Sequence, residues 1–262
     1  MLTRIFYSIT LLPIALGLIY GGIWLNAMLF FLSAIAIIEL TKAFFKKCFP
    51  ITYINIGLLF VYYFFIEHRL LLAFFLIIAL CNLLYLVINH EKITPVEVII
   101  NLFAFFYIGI LLSTVYLVWD INRYMAWLIF ILAWGCDTFA YFSGKFFGKH
   151  KLIETLSPKK TIEGFVGGIL GATALSFLFV YIIEVYFTTF DIGYFYLAAL
   201  FIITSMLAQF GDLTASAIKR YVNIKDYGTL IPGHGGILDR FDSILFTAPI
   251  IYIFLKLLER AC

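Results

Sequence analysis

Apolar runs long enough to cross a bilayer follow one another through this chain with only short polar breaks, and that pattern limits the fold more than any other feature. A helix needs about 20 consecutive apolar residues to span the hydrocarbon. Such runs cover approximately residues 5–21, 23–45, 51–66, 69–88, 95–118, 124–147, 162–187, 192–213 and 243–258. The breaks are Gly21-Gly22, 46–50, Glu67-His68-Arg69, 89–95, 119–123, the longer segment 148–161, 188–191 and a polar cluster over 212–242. Only 13% of the side chains are charged, against about 25% in soluble domains. Alternating apolar-polar segments of about ten residues, which a membrane barrel would need, are absent. The chain therefore reads as an all-α, polytopic integral membrane protein with about nine transmembrane helices.

Met1-Leu2-Thr3-Arg4 before an apolar run resembles the start of a signal peptide, but no Ala-x-Ala site follows, so a retained first helix is expected. Cys48, Cys81, Cys136 and Cys262 are scattered with no CxxC pair and read as small apolar side chains. No internal repeat is visible in the spans, which argues against a transporter built from two related halves. No Pro-rich linker divides the chain. Residues 1–130 are expected to form a scaffold of transmembrane helices, and 131–262 a membrane region carrying the longer polar loops.

With the N-terminus inside, Arg69, Arg123, Lys256 and Arg260 lie on one side and the other 14 of the 18 Lys and Arg on the opposite side. The positive-inside rule places the larger group in the cytoplasm. Both long polar segments then share the cytoplasmic face, and no nucleic-acid partner is expected.

Unpaired ions beside lipid-facing helices cost several kcal/mol each, so the cluster over 212–242 needs a partner or a task. Asp212, Ser216, Lys219 and Arg220 fall at i, i+4, i+7 and i+8, on one helix face running past the hydrocarbon boundary. A solvated helix end with snorkelling cations would explain Lys219 and Arg220, but a short carboxylate at 212 cannot snorkel far. Pro232-Gly233-His234-Gly235-Gly236 permits close backbone approach. Asp239-Arg240-Phe241-Asp242 follows and opens an apolar helix, a place suited to anions and, with a metal, phosphates. Asp242 could instead cap that helix. His234 could bind phosphate, act as an acid or pack in the turn.

Upstream, Asp137, Tyr141 and Lys145 run along one face of the sixth span. An intramembrane carboxylate such as Asp137 is a functional candidate by default. In Ser157-Pro158-Lys159-Lys160-Thr161, two hydroxyls flank two lysines just before a helix start, a plausible triphosphate cradle. A basic loop attracted to anionic lipid is the alternative. Glu39, with Lys42 three residues on, reads as a local ion pair at a helix end. Carboxylates for a divalent ion, cations for phosphates and glycines for close approach together point to phosphate chemistry at a membrane.

These residues resemble the CDP-diacylglycerol synthase (phosphatidate cytidylyltransferase) family. Its pattern is met by Ser216, Lys219-Arg220, Lys225-Asp226, Pro232 to Gly236 and Asp239-Arg240-Phe241-Asp242. Gly211-Asp212-Leu213, Asp137 to Gly144 and Ser157 to Gly164 also match, and the resemblance covers roughly residues 134–245. Asn223 stands where many members have Gly, and Cys136 where a polar residue is expected. Asn tolerates a left-handed backbone nearly as Gly does.

The resemblance implies transfer of a cytidylyl group from CTP to phosphatidic acid, with Mg2+ as cofactor, K+ as a possible second ion, and a homodimer in a bacterial inner membrane. It makes Asp212 and Asp239 the metal-binding carboxylates and puts Ser216 and Lys219 with them in the catalytic set. Arg220, Lys225, His234, Arg240, Ser157, Lys159, Lys160, Thr161, Asp137 and Tyr141 become substrate-binding candidates. The nearest competing reading is a CTP-dependent polyprenol or phytol kinase, which attacks the γ-phosphorus. A transporter pathway is the second, and the Gly-rich turn argues against it. The Asp-Gly-x-x-Ala-Arg opening of a CDP-alcohol phosphotransferase is absent.

Overall fold

The computed structural model describes residues 14–66, 71–188, 190, 192–230 and 235–261. The expected helix start before residue 14, the Glu67-His68-Arg69 break and Pro232 to His234 of the Gly-rich turn lie outside the described residues.

The helices follow the apolar runs closely. They are α1 (Gly22–Phe45), α2 (Pro50–Phe65), α3 (Leu71–Ile88), α4 (Pro95–Ile121), α5 (Arg123–Phe147), α6 (Ile162–Tyr186), α7 (Tyr194–Tyr221), the single turn α8 (Leu238–Phe241) and α9 (Ile244–Ala261). Among the described residues, α1, α4, α5, α6 and α7 are long and apolar enough to cross a bilayer, while α2 and α3 are shorter apolar helices. Helix α4 passes through a π-helical stretch at Phe105–Ile110. Its start is fixed by a capping box, in which the Thr94 N–H donates to Glu97 Oε2 (2.6 Å) and the Glu97 N–H to Thr94 Oγ1 (3.4 Å), with Pro95 following. As the polar stripe required, α7 runs beyond its apolar part to Tyr221. It ends near Asn223, whose φ of 57° is the left-handed conformation that Asn tolerates.

One segment departs from the all-α expectation. Residues 148–161 form an antiparallel hairpin of β1 (Lys151–Ile153) and β2 (Ser157–Thr161), pairing Lys151 with Thr161 and Ile153 with Ser157. Pro158 removes a backbone donor and disfavours helix, so an extended pairing satisfies this short charged run better.

The chain divides into two compact units, one of residues 1–116 with 224–239 and another of 117–223 with 240–262. In the first, polar side chains pair inside an apolar interior. Asn55 and Asn82 exchange amide hydrogen bonds (3.1 and 2.9 Å), and the Thr52 hydroxyl donates to Asn101 Oδ1 (2.6 Å). In the second, α5 packs tightly along α6 at a row of glycines. A Cβ on Gly168 would sit 2.9 Å from the Ala140 Cβ and from the Cys136 carbonyl oxygen. Only a residue without a side chain lets the backbones approach this closely.

Candidate active site

In the second unit, α5, β2, α6 and α7 enclose a cavity of about 350 Å³. Asp137 and Tyr141 reach it from α5, Lys159, Lys160 and Thr161 from β2, and Asp212 from α7. Helical spacing on α5 and α7 and the hairpin between them bring these separate stretches to one wall. The Lys160 ammonium lies 2.6 Å from Asp212 Oδ2, with both side chains largely covered. Thr161 also caps α6, its Oγ1 accepting from the Gly164 N–H at 3.1 Å.

Below Asp212 on α7, the Ser216 hydroxyl stands 3.5 Å from Asp212 Oδ1. Arg220 Nε donates to the Leu156 carbonyl oxygen in the hairpin turn at 3.4 Å, tying the end of α7 to the hairpin. Ser157 sits half-buried in β2 and is not among the residues lining the cavity.

Beside the cavity, Asp137 interacts electrostatically with Asp212, Lys160 and the exposed Arg240. Asp242 is buried, and its Oδ1 accepts from the Ser243 N–H at 2.8 Å. Burial holds its carboxyl well above the usual carboxylate range; Asp212 and Asp137 push it the same way, and Lys219 opposes them. Three acidic side chains thus act on one another here, balanced by Lys160, Lys219 and Arg240.

Asp239 belongs to the first unit. Its Oδ2 accepts from the Tyr227 N–H (2.8 Å) and the Gly236 N–H (3.0 Å), so the carboxylate is oriented by the loop that precedes α8. Gly235 has a φ of 85°, and a Cβ there would meet Asp239 Oδ2 at 2.7 Å. Lys225 is exposed. His234 lies outside the described residues.

The family described as "Cytidylyltransferase family" matches residues 2–258 of this chain. The chain belongs to this family. It is 39% identical over 189 residues to the phosphatidate cytidylyltransferase of Bacillus subtilis, covering 71% of this chain and 68% of that one. It is 38% and 37% identical over 171 residues to the proteins of the same name from Staphylococcus saprophyticus and Staphylococcus haemolyticus, covering 65% of this chain and 64% of each. These matches span about two thirds of each relative's length.

Two polar groups of this cytidylyltransferase escaped the sequence reading, and a third was misread. Gln209, one turn before Asp212, lines the cavity and donates from Nε2 to the Phe165 carbonyl oxygen at 2.9 Å. A buried amide in an apolar span was the available signal. Glu163 accepts from the backbone N–H groups of Lys149 (3.0 Å) and His150 (3.2 Å) and pairs with His150 Nδ1 (2.7 Å), closing the base of the hairpin. Glu39 does not form the expected local pair. Its carboxylate accepts from the Ile237 and Leu238 N–H groups, a contact far too long in sequence for spacing rules to find. Cys136 is buried and donates from Sγ to the Ser205 carbonyl oxygen at 3.4 Å.

Proposed function

We propose that this cytidylyltransferase moves the cytidylyl group of CTP onto phosphatidate, giving CDP-diacylglycerol and pyrophosphate for phospholipid synthesis. A phosphate oxygen of phosphatidate forms a bond to the α-phosphorus of CTP as the bond to the β-phosphate bridging oxygen breaks, and the electron pair leaves with pyrophosphate. The observation that carries the reading is the cavity where Asp137, Asp212, Lys159 and Lys160 meet, in a chain of this family.

The nucleophile needs no strong base, because a phosphomonoester has a second pKa near 6 and is already anionic at neutral pH. Its approach to a triphosphate is opposed mainly by charge repulsion, which is large where the dielectric is low. Lys159 and Lys160 offset that repulsion at the cavity, and the hairpin fixes where their charges stand. Ser216, Lys219 and Arg220 extend the polar face along α7, and Lys225, His234 and Arg240 supply further contacts to the substrates' phosphates.

The residues suit a magnesium ion. Asp212 already holds one cation, the Lys160 ammonium, and its donors are hard oxygens. Among the described residues, no group of three or more His, Cys, Asp or Glu side chains could hold a metal. Magnesium commonly takes one or two carboxylates together with substrate phosphates. Asp212 and Asp239 would be those carboxylates, with potassium as a second ion. Bound there, the ion would neutralise phosphate charge and polarise the phosphoryl group under attack.

The reading includes nine spans, a homodimer with its contacts in residues 1–130, catalysis in 131–262, and a site on the cytoplasmic face of a bacterial inner membrane. The charge asymmetry of the sequence supports that orientation. The test is product identity. Purified protein with magnesium, phosphatidate and CTP labelled at the α-phosphorus should yield labelled lipid. Label entering lipid only from the γ-phosphorus would make the chain a lipid kinase and overturn the proposal.

A further inference from the structure

Glu39 lies near the end of α1, in the part of the chain that the sequence reading treated as scaffold. It is only 8% exposed. Its Oε1 accepts from the Ile237 N–H at 3.0 Å and its Oε2 from the Leu238 N–H at 2.9 Å. The preceding amide, that of Gly236, turns the other way and donates to Asp239 Oδ2 at 3.0 Å. Three consecutive backbone donors are thus divided between two carboxylates, Glu39 on α1 and Asp239 on α8.

The glycines of this loop make room for that arrangement. A Cβ on Gly228 would stand 2.5 Å from Glu39 Oε1, and one on Gly236 would run into the same carboxyl group. Gly235 is the loop glycine whose left-handed φ of 85° requires glycine. Gly228 and Gly236 serve a different end, since their missing side chains admit Glu39 between the two limbs of the loop. A buried carboxylate brought close to a second one is unfavourable unless strong donors hold it, and two backbone N–H groups in a bidentate pattern do so.

We infer that Glu39 is a positioning residue, holding the backbone of residues 236 to 238 in the shape that presents Asp239 to the ion and phosphates of the reaction. The inference rests on the proposed cytidylyl transfer for its activity readout, but not for its structural one. Glu39 is buried, with both carboxylate oxygens bonded to loop backbone. It acts through the backbone of residues 236 to 238, and so through the direction of the Asp239 carboxylate. A glutamine at this position would keep one acceptor and set its NH2 group against the other N–H, breaking half of the clasp.

The experiment uses the full chain in lipid nanodiscs, wild type beside Glu39→Gln, with Glu39→Asp as the conservative variant. Without magnesium or CTP, amide exchange at Ile237 and Leu238 should quicken about tenfold or more in Glu39→Gln, the effect of losing a hydrogen bond to a charged group. Peptides from α5 and α6 should exchange as in wild type. The magnesium concentration for half-maximal turnover should rise about 10-fold or more, as for lost orienting partners of metal ligands. Turnover at saturating magnesium should recover, and Glu39→Asp should fall between the two. A residue that merely stabilised the fold would lower turnover at every magnesium concentration without moving the midpoint, and that result overturns the inference. So does wild-type exchange at 237 and 238. Should Glu39→Gln fail to fold, Gly236→Ala carries the same test, because its added methyl displaces the same carboxyl. Unchanged exchange and magnesium dependence in that variant would equally refute it. If wild type makes no CDP-diacylglycerol while the exchange difference holds, the reaction assignment fails and the positioning role stands.

Discussion

The Lys160 ammonium, carried by a β-hairpin, stands 2.6 Å from Asp212 Oδ2, carried by a membrane helix. Each group therefore holds the other in place at the cavity wall. Lys160→Met should leave Asp212 without its counter-ion and remove a positive charge from the phosphate path. A hydrogen bond to a charged group contributes about 1.5–3 kcal/mol, so kcat/KM for CTP should fall roughly 10- to 100-fold. Lys160→Arg, which keeps the charge in a different geometry, should lose less. Steady-state rates at varied CTP decide it, and a Lys160→Met enzyme within about threefold of wild type would detach this pair from catalysis.

The carboxylates carry a sharper expectation. Asp212→Ala and Asp239→Ala should each cost at least about 10²-fold in turnover, above the losses seen when only an orienting partner of a metal ligand is removed. Added magnesium should not restore either variant, in contrast to the rescue expected at Glu39. Near-normal turnover in one of them would release that residue from the metal role.

The helices were legible because membrane burial demands long apolar runs, and the breaks at Gly21, Pro50, Pro95 and Asn122 lie beside the helix ends. The face shared by Asp212 and Ser216 on α7 followed from helical spacing in the same way. Much else was out of reach. The hairpin over 151–161 is short and charged, without the alternation that marks a half-buried strand. Spacing put Lys160 and Asp212 among the candidates but could not pair them, because that contact depends on how the hairpin folds over α7. The role of Glu39 depends on two glycines whose purpose is space, and sequence shows a glycine without showing what occupies the gap.

Glu163 gives a test of the hairpin itself. Two-stranded hairpins are marginal alone in water, and this one is closed at its base by three donors meeting the Glu163 carboxylate. Glu163→Ala should loosen residues 149–161, raising the KM for CTP about tenfold, as expected for loss of contacts to a charged acceptor. Limited proteolysis should cut this segment faster than in wild type while the thermal midpoint barely moves. Unaltered cleavage together with an unaltered KM would mean that the hairpin stands without this clasp.

Packing between α5 and α6 should be intolerant of even one added side chain. At Gly168 a Cβ meets the Cys136 carbonyl oxygen at 2.9 Å, and a backbone atom cannot swing aside. Gly168→Val should therefore destabilise by about 1–3 kcal/mol, the usual penalty for overpacking. Thermal unfolding in detergent would show it as a lowered midpoint. A midpoint equal to wild type would mean that the two helices separate more easily than their contact suggests.

Asp242 predicts a pH dependence whose sign is fixed by its surroundings. Burial, with Asp212 and Asp137 nearby, raises its folded-state pKa above the ordinary carboxylate value. Between the unfolded value, about 3.9, and that raised value, the folded protein binds a proton that the unfolded chain has released. Stability must then fall as pH rises through this window, and the full penalty is present above the raised value. Asp242→Asn keeps an oxygen able to accept from the Ser243 N–H but cannot ionise. Its unfolding midpoint, measured in a chelating buffer from pH 5 to 8, roughly the range of maximal stability for proteins, should decline less steeply with pH than that of wild type. The two proteins should be closest at the acid end and diverge, with the variant more stable, as the buffer becomes alkaline. Parallel profiles would show that Asp242 carries no such penalty in the folded protein.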